Sequence, residues 1–175
     1  LEIGVGSGCI ILSILKEKKN FYGTGIDISK KCIDICKINA NNLKVFNRLK
    51  LFKSDIDNFS LGKYDLIISN PPYIKNLNLK YLEKDVIGYE PRLALSGGLD
   101  GLSEIKKVIN NSTKLIKKNG ILILEIASDQ VHVTSNILRK KGFFVKKIFK
   151  DLAKNNRCIL SIKNWISKNG NFSKQ

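Results

Sequence analysis

Glu2-Ile3-Gly4-Val5-Gly6-Ser7-Gly8 is the stretch on which the fold turns. Three glycines alternate with other residues between a short apolar start and the apolar run Ile10 to Leu15. The pattern predicts a strand end, a tight loop and a helix, with glycines letting the backbone turn and lie close to a ligand. Working outward, Phe21 to Asp27 reads as a second strand, and Lys30 to Leu43 as a helix with Cys32, Ile35, Cys36, Ala40 and Leu43 on one face. Arg48–Lys53 and Tyr64–Ser69 are short apolar strands, Leu102–Ile116 is helical, Ile121–Ile126 is a buried strand and Gln130–Lys141 a helix. Phe143–Phe149 and Cys158–Lys163 read as a closing strand pair without a helix between them, hence antiparallel. Strand and helix alternate, which predicts an α/β fold with a mostly parallel sheet and helices on both faces.

Asp27 closes the second strand, where a carboxylate accepts hydrogen bonds from both hydroxyls of a ribose. A dinucleotide site needs G-x-G-x-x-G, but here Cys9 holds the place of the last glycine. With no phosphate to cradle, the shorter loop suits an adenosine ligand such as S-adenosylmethionine; close helix–strand packing is the purely structural alternative. Ser54-Asp55-Ile56 follows the third strand, and there Asp55 could accept from an exocyclic amine and Ile56 could cover the ring, a plain turn being the alternative reading.

Asn70-Pro71-Pro72-Tyr73 follows the fourth strand directly, at the carboxyl edge where open α/β sheets bind ligands. Consecutive prolines end the strand and leave carbonyls that no neighbouring amide claims. The Asn70 side chain and the Pro71 carbonyl then accept from one planar NH2 group, while Tyr73 stacks on its π-system. Holding both hydrogens as the nitrogen turns pyramidal localises its lone pair toward a methyl donor. That is orientation plus electrostatic stabilisation, with no general base required.

These motifs, in this order and spacing, resemble the methyltransferases that modify nitrogen in glutamine, adenine or cytosine. Tyr89-Glu90-Pro91-Arg92-Leu93-Ala94-Leu95, Gly97-Gly98 and Asp100-Gly101-Leu102, with Leu124-Glu125-Ile126 and Gln130, narrow the likeness to the peptide chain release factor N5-glutamine methyltransferases. Ala127 stands where that family usually has glycine. The resemblance implies a Rossmann-like class I methyltransferase with a seven-stranded sheet and an antiparallel final strand. It implies S-adenosylmethionine held by Gly4, Val5, Gly6, Ser7, Gly8, Asp27, Ile56 and Asn70, and a substrate glutamine held by Asn70, Pro71, Pro72 and Tyr73. It also implies a release-factor partner, presenting the glutamine of its Gly-Gly-Gln loop. A ribosomal-protein glutamine methyltransferase, a nucleic-acid adenine methyltransferase and a non-catalytic cofactor- or RNA-binding remnant are the rival readings.

Length and composition bound the rest. The 175 residues, 43% hydrophobic and 26% charged, fit one globular domain and exclude a disordered chain. The expected division is a domain over 1–163, its first strand incomplete and the family's upstream helical domain missing, then a polar tail over 164–175. No apolar run reaches the ~18 residues of a membrane span. Cys9, Cys32, Cys36 and Cys158 form no CxxC pair, which fits a reducing cytoplasm. Cys32 and Cys36 lack a partner pair or histidine, so packing rather than a metal is expected of them, and lone His132 carries no nucleophile motif. The net charge of +16 suits nucleic acid, yet only four of the 31 basic residues are arginine, and Lys, Asn and Ile fill 70 positions. A shared bias toward A- and T-rich codons accounts for that, so a solvated lysine surface is favoured over a nucleic-acid face. A monomer is expected. Glu90 reads equally as a pocket residue or a loop anchor, and Asp100 or Ser103 as a cap for the following helix.

Overall fold

The computed structural model describes residues 1–72 and 101–164. A seven-stranded sheet in the order β3-β2-β1-β4-β5-β7-β6 organises them. β1 (Glu2–Ile3), β2 (Gly23–Asp27), β3 (Leu49–Lys53), β4 (Tyr64–Ser69) and β5 (Ile116–Glu125) run parallel. β7 (Asn156–Lys163) is antiparallel to both β5 and β6 (Phe143–Lys150). The expected antiparallel closing strand is therefore present, inserted between β5 and β6.

Two helices, α1 (Cys9–Glu17) and α2 (Lys30–Asn42), lie on one side of the sheet. There Ile11, Leu12, Leu15, Ile33, Cys36 and Ala40 join Val5, Val45 and Leu49 in a core of their own. On the other side α3 (Ser103–Leu115) and α4 (Val131–Lys140) bury Ile105, Val108, Ile109 and Leu138 against Ile26, Ile67, Leu122, Leu124 and Ile159.

Several expected boundaries shift. Phe21 and Tyr22 precede β2 and are exposed, Tyr22 by 81%. On α2 the inward residues are Ile33, Cys36 and Ala40, while Ile35 and Leu43 face water. Ser29 caps that helix, its side chain accepting from Cys32 N, and packing against the sheet turns Ile33, Cys36 and Ala40 inward. β5 begins at Ile116, directly after α3, five residues before the expected start. Its register with β4 is irregular between Tyr64 and Leu66, and Asn119 takes a positive φ of 60° there. β7 begins two residues early, at Asn156. Ser103 is the first residue of α3 and Leu102 occupies its cap position, so Ser103 is not the cap. Tyr73, Glu90, the Pro91–Leu95 run, Gly97, Gly98 and Asp100 lie outside the described residues, as does 165–175 of the expected tail. Among the described residues no helix is long and apolar enough to cross a membrane.

Candidate active site

Register alone gathers the site. Ile26, Ile3, Ser69 and Leu124 form one row across β2, β1, β4 and β5. One residue further on, Asp27, Gly4 and Asn70 leave the same carboxyl edge of adjacent strands. Ser69 Oγ donates to Ile3 O at 2.9 Å, pinning β4 to β1 where both chains leave the sheet.

The glycine loop is held by its own backbone and by Asp27. Gly4 N and Val5 N both donate to Ile26 O at 2.9 Å, and Gly8 N donates to Val5 O at 2.8 Å. Gly6 N donates to Asp27 Oδ2 at 2.9 Å, and Ser29 N to Asp27 Oδ1 at 2.8 Å. Each carboxylate oxygen keeps further lone-pair capacity, so Asp27 orders the loop with acceptor capacity to spare. Asn39 on α2 donates from Nδ2 to Ser7 O at 2.9 Å, a tie the sequence reading missed. Gly6 and Gly8 serve different ends. Both have positive φ, 53° and 88°, but a Cβ on Gly6 would meet nothing within 4 Å, whereas one on Gly8 would sit 2.6 Å from Cys36 Sγ. Gly6 thus borders open space, and Gly8 permits close helix packing. Burial pushes the Cys36 thiol up to about 11, with Glu2 and Asp27 adding to the shift, so Cys36 acts as an apolar filler.

Beneath the loop lies a buried carboxylate. Glu2, 4% exposed, accepts from Ile11 N at 2.9 Å through Oε2. Burial pushes its pKa up to about 7, against the lowering effect of that hydrogen bond. At the far end of α1, Arg48 donates to Leu15 O, Lys18 O and Phe21 O at 2.6, 3.0 and 2.9 Å. Both ends of α1 are therefore satisfied from outside the helix, by an anion at its positive end and a cation at its negative end.

On the β3 side, Ser54 N donates to Asp27 O at 2.9 Å. Asp55 caps the short turn Ile56–Asn58, accepting from Asp57 N at 3.0 Å. Ile56 is 6% exposed and packs into the main core. The open groove beside it, about 380 Å³, is lined by Ile28, Lys53, Ser54, Asp55 and Asn58. Ile28, 51% exposed and next to Asp27, supplies the aliphatic surface there. An exposed isoleucine directly after a strand-ending carboxylate was the available signal. Asn70 is exposed, Pro71 buried and Pro72 half-buried, so the prolines are packed and the asparagine is presented. A cavity of about 840 Å³ is lined by Leu1, Tyr22, Gly23, Leu49, Tyr64 and Leu66 among others. These residues begin the strands, so it opens at the opposite edge from the site.

Gln130 was quoted only as part of a motif; the structure shows what it holds. Buried, it accepts from Ala127 N at 3.0 Å and donates to Gly101 O at 2.9 Å, joining the end of β5 to the approach to α3. Burial raises the Glu125 pKa, with Arg157 opposing. His132 is exposed on α4. No cluster of three or more His, Cys, Asp or Glu residues among the described residues is placed to hold a metal ion.

The family model described as methyltransferase small domain matches residues 1–99. The chain belongs to this family. The methyltransferase domain is 36% identical over 165 residues to a release factor glutamine methyltransferase of Caulobacter vibrioides, covering 94% of this chain and 57% of that protein. It is 40% identical over 160 residues to a bifunctional methyltransferase of Rickettsia bellii, covering 91% of this chain and 29% of that protein. The domain thus spans well under two thirds of the curated relatives it matches. Among solved structures, a ribosomal protein L11 methylase of Lactobacillus delbrueckii subsp. bulgaricus superposes with a TM-score of 0.68 at 16% identity, over 94% of this chain and 69% of that one. A magnesium protoporphyrin IX methyltransferase of Synechocystis superposes at 0.64 and 18%, over 93% and 68%. The shared architecture is the class I methyltransferase fold.

Proposed function

We propose that this domain transfers a methyl group from S-adenosylmethionine to the side-chain amide nitrogen of the glutamine in the Gly-Gly-Gln loop of peptide chain release factors. The observation that carries the reading is the meeting of the glycine loop, Asp27 and Asn70 at one sheet edge, in a chain 36% identical over 165 residues to a release factor glutamine methyltransferase. Open space above Gly4 and Gly6 and an aliphatic groove past Asp27 fit an adenosine cofactor. Gly4 to Gly8 would hold its amino-acid part, Asp27 the ribose, and Ile28 with the Asp55–Ile56 turn the adenine. When bound, the cofactor supplies an electrophilic methyl on a sulfonium.

The chain's own part is to prepare the nucleophile. Asn70 Oδ1 and the Pro71 carbonyl accept the two amide hydrogens, and Tyr73 stacks on the amide plane. So held, the amide nitrogen would direct its lone pair at the methyl group that the bound cofactor would supply, and would give up one proton to water on becoming methylated. The same substrate implies action in the cytoplasm. The test is incubation with methyl-labelled S-adenosylmethionine and, separately, a release factor and bulk RNA. Label on the release factor that disappears when the Gly-Gly-Gln glutamine is changed to alanine is expected. Label on RNA alone overturns the reading in favour of an adenine methyltransferase.

A further inference from the structure

The positive charge is not spread evenly over the molecule. Residues 139–163, the end of α4 and the β6–β7 hairpin, hold nine basic residues and one acidic, half of the chain's net charge of +16. A codon bias toward lysine loads the whole chain alike and gives no reason for acidic residues to be missing from one stretch. The single acid there, Asp151, is already paired with Arg157 at 3.0 Å. Lys140, Lys141, Lys146, Lys147, Lys150 and Lys154 are all exposed, and none of them is in an ion pair among the described residues.

These lysines follow an edge. β6 is the outermost strand of the sheet, and its 8 residues span about 26 Å. Lys140 and Lys141 precede its start, and Lys150 and Lys154 stand at its end. Phe144, Lys147 and Phe149 pair with Ile162, Leu160 and Cys158, on the face away from the core that takes Phe143 and Ile159. Phe144 is 56% and Phe149 39% exposed, and Lys147 Nζ lies 4.7 Å from the Phe149 ring centre. Lysines on an edge strand discourage pairing with another sheet, but that role asks for neither exposed rings nor a lack of acidic residues beyond the strand. Cations spaced along a strand with aromatic faces between them match a polyanion that carries flat bases, and such rings stack only on bases not already held in a duplex. We infer that β6 and its hairpin form a binding surface for single-stranded RNA. RNA rather than DNA follows from the proposed function, which sets the protein beside translation; in that choice alone the inference rests on that reading. The surface lies three strand spacings from β4, about 14 Å, apart from the cofactor loop.

The test is fluorescence anisotropy of a labelled oligouridine of about 12 nucleotides titrated with the full chain. Binding is expected to weaken roughly 50-fold between about 50 and about 200 mM salt, as for about four phosphate contacts on a single strand. Lys146→Gln combined with Lys150→Gln removes about two of those contacts and cuts the salt effect to roughly 7-fold. Phe149→Ala weakens binding roughly 10-fold and leaves the salt dependence unchanged. Lys16→Gln combined with Lys19→Gln makes the same charge change at exposed positions of the α1 end and leaves affinity within about 2-fold. No binding at the lower salt overturns the inference, as does an equal loss from the two lysine pairs. Equal affinity for oligothymidine overturns the assignment to RNA. Displacement by polyglutamate, with Phe149→Ala binding as the wild type does, overturns it in favour of an acidic protein partner. Both lysine pairs are on the surface, so the comparison stands even if Phe149→Ala fails to fold. No methyl transfer enters these measurements, so their failure and the failure of the proposed function are told apart.

Discussion

Across β1–β3 both sheet faces are filled by the chain's own residues: Ile3 and Ile26 turn toward one core, Val5 and Leu49 toward the other. Across β4–β7 the described residues fill only one. Ile67, Leu122, Leu124 and Ile159 are buried beneath α3 and α4, while the alternate residues Leu66, Ile68, Ile121, Ile123, Leu160 and Ile162 remain half-buried and join neither core. At the outer edge Phe144 is 56% exposed. A two-sided sheet gives the cofactor half a rigid floor, so its loop is set by many short bonds. In the proposed function, the substrate half presents its chemistry at one strand end, Asn70, immediately before the prolines. Affinity should therefore be distributed over the first half and rate concentrated at one residue of the second.

The sharpest test of that division is Asn70→Ala. It should lower methyl transfer by roughly 10²–10³-fold, the cost of removing a preorganised hydrogen-bonding group from a transition state. Cofactor affinity measured by calorimetry should change by no more than about 2-fold. A parallel collapse of affinity would break the comparison.

Within the cofactor half, the loop's glycines separate by cause. Gly8→Ala combines a positive φ with contacts to Cys36 Sγ and Leu12 and should destabilise by about 3 kcal/mol in urea unfolding. Gly6→Ala meets open space and should cost only about 1 kcal/mol. Next comes Asp27→Asn, which removes the charge from an acceptor serving two backbone amides and, in the proposed reading, the ribose. Binding should weaken by roughly 10- to 100-fold, with the maximal rate at saturating cofactor little altered.

The smallest effect compares the two faces of the second half directly. Ile67→Val removes one methylene from a fully buried site and should cost about 1 kcal/mol. Ile123→Val removes the same group from the half-buried face and should cost about 0.3 kcal/mol. Equal losses in thermal unfolding would mean that face is as tightly packed as the core.

Much of this was legible in the residues because it is local. Strand–loop–helix alternation, the glycine spacing, the carboxylate closing β2 and the proline pair closing β4 each depend on backbone geometry over a few positions. Contiguous sequence records such geometry. The α2 face was read correctly at Cys36 and Ala40 and missed at Ile33, because apolar spacing allowed two neighbouring phases and packing against the sheet selected one.

What the tertiary structure alone decided is which distant groups complete those local motifs. Nothing in Glu2 announces that it caps α1, or in Arg48 that it holds the other end, because each partner is a backbone atom made available only once the helix is docked. The sequence does not tell that Ile56 is drawn into the core while Ile28, beside Asp27, stays exposed. Motifs declare themselves along the chain since their bonds are short in sequence. Burial, and with it the raised pKa of Glu2, depends on what packs above a residue, and that is set only when sheet and helices meet.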